Sequence, residues 1–242
     1  RDVAPSRGLG DVYKRQGLNM NSVDFAFGGF FSIGTLSYAW AKLYRKSFLD
    51  SNKIEFGDYR YAEDKIYNYF CYIAGARYAF IDKKIYVYRR NEQSVSNTYR
   101  KDGDKDWMRI AQDLQDKIDS LNYEKKQYSQ DEIENYESIV AWTIYFAAFF
   151  DGKMEYEYST GKIRAVINLL KRYASYDLTK KYLKNPLRYT KKIPALSYKI
   201  MLGGFAFLMK CNMYLLLSLG IKLLVDCHID ERLSDTCLLY TS

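Results

Sequence analysis

The chain has 242 residues, 48% of them hydrophobic and 27% charged, with a formal net charge of +8. That length holds one large domain or two small ones, and the hydrophobic fraction excludes a disordered tail. Four cysteines give no disulfide framework and point to a reducing compartment, while a single histidine, His228, excludes a histidine-built metal site or a Ser-His-Asp triad.

The two ends share an origin. Residues 11 to 16 read DVYKRQ, and residues 237 to 242 read CLLYTS. A DNA string encoding the first has a reverse complement that encodes the second, one frame over. It resembles the mosaic end of a sequencing-library transposon. Residues 1–16 and 237–242 are therefore expected to be adapter-derived and are set aside from fold reasoning. The remainder is expected to be a fragment of a longer protein.

Residues 17 to 37 mix Phe, Gly and Ser, and such short apolar runs broken by glycine predict a strand and loop. Residues 38 to 51 predict a short helix with Trp40, Leu43, Tyr44 and Phe48 near one face. Residues 61 to 75 predict a second helix: Ile66, Tyr69, Phe70 and Ile73 recur at three and four, and Gly75 suits the stop. Glu63 and Asp64 fall in its first turn, where the helix dipole favours carboxylates. Residues 77–82 and 84–89 are rich in β-formers and predict two strands.

Beyond residue 98 the pattern becomes helical. Trp107, Ile110, Ala111, Leu114, Ile118 and Leu121 follow the 3.6-residue period. Residues 131–150 predict a deeply buried helix, because IVAWTIYFAAFF is apolar nearly all round. Residues 160–175 predict a basic amphipathic helix. The Asp-Gly-Asp at 102–104 reads as a polar loop, and Cys71 and Cys211 read as small core residues.

Charge is segregated. Residues 161–199 hold eleven Lys/Arg against one acid, Asp177, directly before the apolar segment 195–225. Lys199, Lys210 and Lys222 interrupt that segment, so its longest uncharged run is far short of the roughly 20 residues that a span needs. The expected form is an interfacial helix, or two broken at Gly203-Gly204, with the lysines along one face; a core helix pair of a soluble domain and a true membrane span are the alternatives. The expected partner is an anionic membrane surface. Nucleic acid is not an expected partner, since the basic block adjoins apolar sequence and carries no recognition motif.

The stretch from Trp40 to Ser96 carries a resemblance. It runs W-A-K-L-Y-R, then I-E-F, then Y-A-E-D-K-I-Y-N, then A-F-I-D, then Y-V-Y-R-R closing on S-V-S. This order resembles the acceptor-side half of bacterial family-two glycosyltransferases of the GT-A fold, over about 60 residues. Gly57-Asp58 and Tyr67 depart from the usual letters.

The resemblance implies an α/β fold, namely an incomplete GT-A (nucleotide-diphospho-sugar transferase-like) C-terminal half over residues 17–98. A helical extension over 99–194 and a membrane-associating segment over 195–236 would follow. It implies inverting transfer of a sugar from a nucleotide-sugar donor to a glycan or lipid-linked acceptor, at the cytoplasmic face of the cell membrane. Asp64 would be the general base. Glu63, Trp40, Lys42, Arg89 and Arg90 would bind substrate, Trp40 by stacking on a sugar ring and the cations by meeting pyrophosphate or acceptor charge. A divalent metal, magnesium or manganese, is implied for the parent protein, with its ligands expected upstream of this fragment. The fragment alone would then be inactive. The competing expectation is a non-catalytic membrane-surface binding protein, driven by residues 161–225.

Overall fold

The computed structural model describes residues 22–32, 34–81, 99–123 and 128–227. It divides at Thr98 into two compact units. Helix makes up 73% of the interpretable chain, and no strand occurs among the described residues. The α/β expectation is thereby overturned.

In the first unit the correction has local causes. The Phe-rich stretch expected as strand and loop begins with Ser22, whose Oγ accepts from the Phe25 amide at 3.2 Å. That cap starts a short helix, α1 (Val23–Phe27), which runs into a π-helical turn, Gly28–Ser32, and a 3-10 turn, Thr35–Ser37. The coiling buries Phe25, Phe27 and Phe30 together, which alternating strand geometry would split between two faces. Gly34 adopts φ 75°, a conformation open to glycine at no steric cost.

Of the strand expected at 77–82, residues 77–81 have no regular secondary structure. Its β-formers serve packing: Tyr78 and Phe80 lie 5.2 and 6.3 Å from the Phe25 ring. Residues 84–89, expected as the next strand, lie outside the described residues.

The helix expected at 38–51 is shortened to α2 (Lys46–Asn52). Ala41 sits at φ 56°, which no right-handed helix admits, so Trp40 to Arg45 form a turn and an irregular segment instead. Leu43, expected on the buried face, is 99% exposed. Helix α3 (Glu63–Ile73) forms where the periodicity placed it, and Gly75 at φ 83° follows its end. Its Tyr67 and Cys71 pack with Ile54 and with Tyr44, Phe48 and Leu49. Its other buried face holds Tyr69 and Tyr72 against Phe30.

The second unit is all helical among its described residues: α4 (Gly103–Tyr123), α5 (Gln130–Tyr158), α6 (Lys162–Ser175), α7 (Asp177–Leu183), α8 (Pro186–Thr190), α9 (Leu196–Lys210) and α10 (Tyr214–Asp226). Helix α5 is the centre, with α4 and α6 packed on it. A capping box opens it: Ser129 Oγ accepts from the Glu132 amide, and the Glu132 carboxylate accepts from the Ser129 amide at 2.8 Å. From Ser138 to Phe149 every residue is buried, as its apolar circumference predicts. Polar tips inside this core find backbone partners. Trp142 Nε1 donates to the Tyr189 carbonyl at 3.2 Å, and Tyr145 Oη to that of Tyr182 at 3.1 Å.

The apolar C-terminal segment is two helices, broken at residues 211–213 and not at Gly203-Gly204. Asn212 takes the left-handed conformation at φ 57°, which a short polar side chain tolerates. Gly203 lies inside α9, where a Cβ would stand 3.2 Å from Thr190 Oγ1. Glycine there lets α9 approach α8. Cys211 is exposed at the break, not in the core, whereas Cys71 is buried. The break also puts Lys222 on a different helix from Lys199 and Lys210, so the three do not share one helix face. No helix among the described residues is long and apolar enough to cross a membrane.

Candidate functional site

Four of the six residues singled out by the sequence, Trp40, Lys42, Glu63 and Asp64, are described, and they lie at two irregular junctions of the first unit. At the first, Ala41 is held at φ 56° between Trp40 and Lys42. The turn leaves Trp40 stacked on Tyr38, ring centres 4.8 Å apart at 22°, with both rings more than a third exposed. Each ring covers one face of the other, and the partly exposed pair is an aromatic surface of the kind that meets the apolar face of a sugar ring. Lys42 folds back beneath the pair. Its Nζ donates to the Thr35 carbonyl at 2.7 Å and to the Tyr38 carbonyl. Burial lowers its ammonium to about 8, and the negative field of Asp64 partly opposes that.

The second junction is the start of α3. Ala62, at φ 55°, precedes Glu63 and Asp64 directly. A left-handed alanine costs of order 1 to 2 kcal/mol and persists only where the surroundings hold it. Glu63 is exposed and Asp64 half-buried. One turn on, the buried Asn68 donates from Nδ2 to the Asp64 carbonyl at 2.7 Å. Asn68 Oδ1 accepts from Tyr44 Oη at 2.9 Å. The Tyr44–Asn68–Asp64 chain ties the W-A-K-L-Y-R segment to the Y-A-E-D-K-I-Y-N segment, 24 residues apart in sequence.

The structure thus brings Lys42 into the field of Asp64, with Trp40 two residues before Lys42 and Glu63 next to Asp64 in the chain. Arg89 and Arg90 lie outside the described residues. Sequence reasoning passed over Tyr44 and Asn68, although both are letters of the two quoted segments. It also passed over Lys65. That ammonium lies 4.7 Å from the Phe31 ring centre and 5.8 Å from that of Tyr69, and burial lowers it to about 8. Phe31 belongs to the π-helical turn, so no local pattern around Lys65 announces the pairing.

The residues described do not suit the divalent metal implied by the family resemblance. No group of three or more metal-ligating side chains occurs among them. The Asp-Gly-Asp letters belong to the second unit, and they start a helix rather than filling a loop. Asp104, in the first turn of α4, is buried and held by Arg172 through Nε at 3.2 Å and Nη2 at 3.1 Å, with Tyr176 Oη at 3.1 Å. A carboxylate so satisfied is part of an internal ion pair.

No family model matches this chain, nor does any curated protein or solved structure.

Proposed function

We propose that the first unit supplies the acceptor side of an inverting glycosyl transfer, within a longer protein that builds cell-surface polysaccharide or glycolipid at the cytoplasmic membrane face. The observation that carries this reading is the hydrogen-bonded link from Tyr44 through Asn68 to Asp64, with Lys42 in the field of the Asp64 carboxylate. Two segments that resemble the family's acceptor motifs meet there through side chains.

The chemistry asked of these residues is modest. An acceptor hydroxyl attacks the anomeric carbon and forms the new C–O bond. The bond to the nucleoside diphosphate breaks, and its electron pair leaves with the phosphate. A single displacement inverts the anomeric centre. The hydroxyl proton must go to a base within hydrogen-bond reach, and Asp64 is the half-buried carboxylate available for it. The Tyr38–Trp40 shelf holds a sugar ring by stacking, and the exposed Glu63 accepts from its hydroxyls. Lys42, anchored on the Thr35 and Tyr38 carbonyls, ties the shelf to the 3-10 turn before it.

Saturation-transfer NMR on the 242-residue chain with a panel of neutral mono- and disaccharides tests the shelf. Transfer to sugar ring protons is expected, and Trp40→Ala removes it. No saccharide contact, or contact indifferent to Trp40→Ala, overturns the acceptor-site reading.

A further inference from the structure

Helices α9 and α10 pack against each other and both against α5, yet each leaves an apolar stripe in solvent. On α9 the stripe is Leu196, Ile200 and Phe207, and on α10 it is Leu215, Leu219 and Leu223. These six side chains are 45 to 68% exposed. Their spacings of four and seven hold each set on one face, at about 100° per residue. Exposed leucines scattered singly mean little, but a stripe on each of two adjacent helices is apolar exposure of the kind that marks an interaction surface.

The charges around the patch identify its partner. Lys199 and Lys210 flank the α9 stripe on the same side, within about 60° of it by the same angular count. At the C-terminal end of α9, Lys210 Nζ donates to the Lys184 carbonyl at 2.8 Å, which sets Lys184 beside that end. Leu187 of α8 comes within 3.8 Å of where a Gly203 Cβ would stand, so α8 and its following Lys191 adjoin α9. The ammonium groups of Lys184, Lys191 and Lys199 make no ion pair or hydrogen bond among the described residues. The two helices carry one acidic residue, Asp226, and it is paired with Lys222. An apolar face with an unneutralised basic rim complements an anionic, apolar-cored surface. A second copy would bring the same cations against these.

We propose that α9 and α10 dock in plane on an anionic lipid bilayer, with the leucine stripes entering the acyl boundary and Lys184, Lys191 and Lys199 meeting headgroup phosphates. This goes beyond the glycosyl-transfer reading and does not depend on it, since it lies wholly within the second unit.

Flotation of the 242-residue chain tests it, on vesicles of phosphatidylglycerol mixed with phosphatidylcholine and on phosphatidylcholine alone. The chain floats with the anionic vesicles at low salt and is released toward 1 M salt, where the Debye length is about 3 Å. Ile200→Asp with Leu219→Asp lowers partitioning at least about tenfold, with helical circular dichroism unchanged, because both sites are solvent-facing. Replacing Lys184, Lys191 and Lys199 by Gln lowers it by about 100-fold on anionic vesicles, at roughly fivefold for each of the three lysines. Leu219→Trp shifts its emission to the blue on those vesicles. Absence of flotation at low salt, wild-type flotation by the aspartate variant, or no blue shift overturns the proposal. A dimer that the aspartate variant dissociates, with no vesicle binding, assigns the face to a second copy and overturns it equally.

Discussion

Asp151, on α5, is a carboxylate placed where it is costly to ionise. Its carboxyl accepts from the buried Tyr173 Oη at 2.5 Å, and Gly103 approaches so closely that a Cβ there would stand 2.9 Å from Oδ2. Burial raises it from 3.8 to about 6, with Asp104 and Asp106 adding to the rise, while the Tyr173 bond and Arg100 oppose it. A carboxyl so moved is about 3 kcal/mol costlier to ionise than in water, and partial exposure reduces the usable figure to about 1 to 2 kcal/mol. Asp151→Asn mimics the neutral form and keeps an oxygen for Tyr173. Between pH 3.8 and about 6 the native state holds a proton that the unfolded chain has released, so this group lowers stability as pH rises through that window. The variant is therefore expected to be about 1 to 2 kcal/mol more stable at pH 7 and to lose that slope. Urea unfolding from pH 4 to 7, read by fluorescence of Trp107 and Trp142 in the same unit, measures both. A variant less stable at pH 7, or one that keeps the wild-type slope, refutes the reasoning.

Three further outcomes are expected in the first unit. Ala62→Gly relieves the left-handed alanine and gains about 0.5 to 1 kcal/mol in thermal or urea unfolding, whereas Ala62→Val loses about 2 kcal/mol or more. Asn68→Ala removes the partner of Tyr44 Oη and the donor to the Asp64 carbonyl, costing about 1 to 3 kcal/mol and quickening amide exchange at the start of α3. Lys42 and Lys65, lowered from 10.5 to about 8, have shed protons that the unfolded chain still holds, so stability rises from pH 8 toward 10. Replacing both by Met removes that rise in a pH-stepped urea titration.

What was legible in the sequence follows from where the physics is local. The periods of Ile66 to Ile73, of Ile110 to Leu121 and of the apolar run in α5 predicted those helices, because a helix buries its own stripe wherever it packs. Over the described residues 77–81 a strand did not follow from β-propensity. Tyr78 and Phe80 favour strands, but what they do among the described residues is pack on Phe25, and propensity does not separate pairing from packing. Ser22 could be recognised as a cap only if the Phe-rich run after it was taken as helical. The left-handed Ala41 and Ala62 were invisible, since alanine is the strongest helix former and only tertiary context holds it at positive φ. The candidate site was partly legible: Trp40, Lys42, Glu63 and Asp64 came from letter order. The Tyr44–Asn68 bond that joins their segments depends on a contact 24 residues apart.

In the proposed transfer Asp64 is the proton acceptor. Its most direct test is steady-state transfer from a nucleotide-sugar donor to an acceptor by the complete reading frame that encodes this segment, compared between wild type and Asp64→Asn. A kcat lower by about 10²- to 10⁴-fold with donor KM little changed is expected, as removal of a general base demands. Turnover by Asp64→Asn equal to wild type contradicts it.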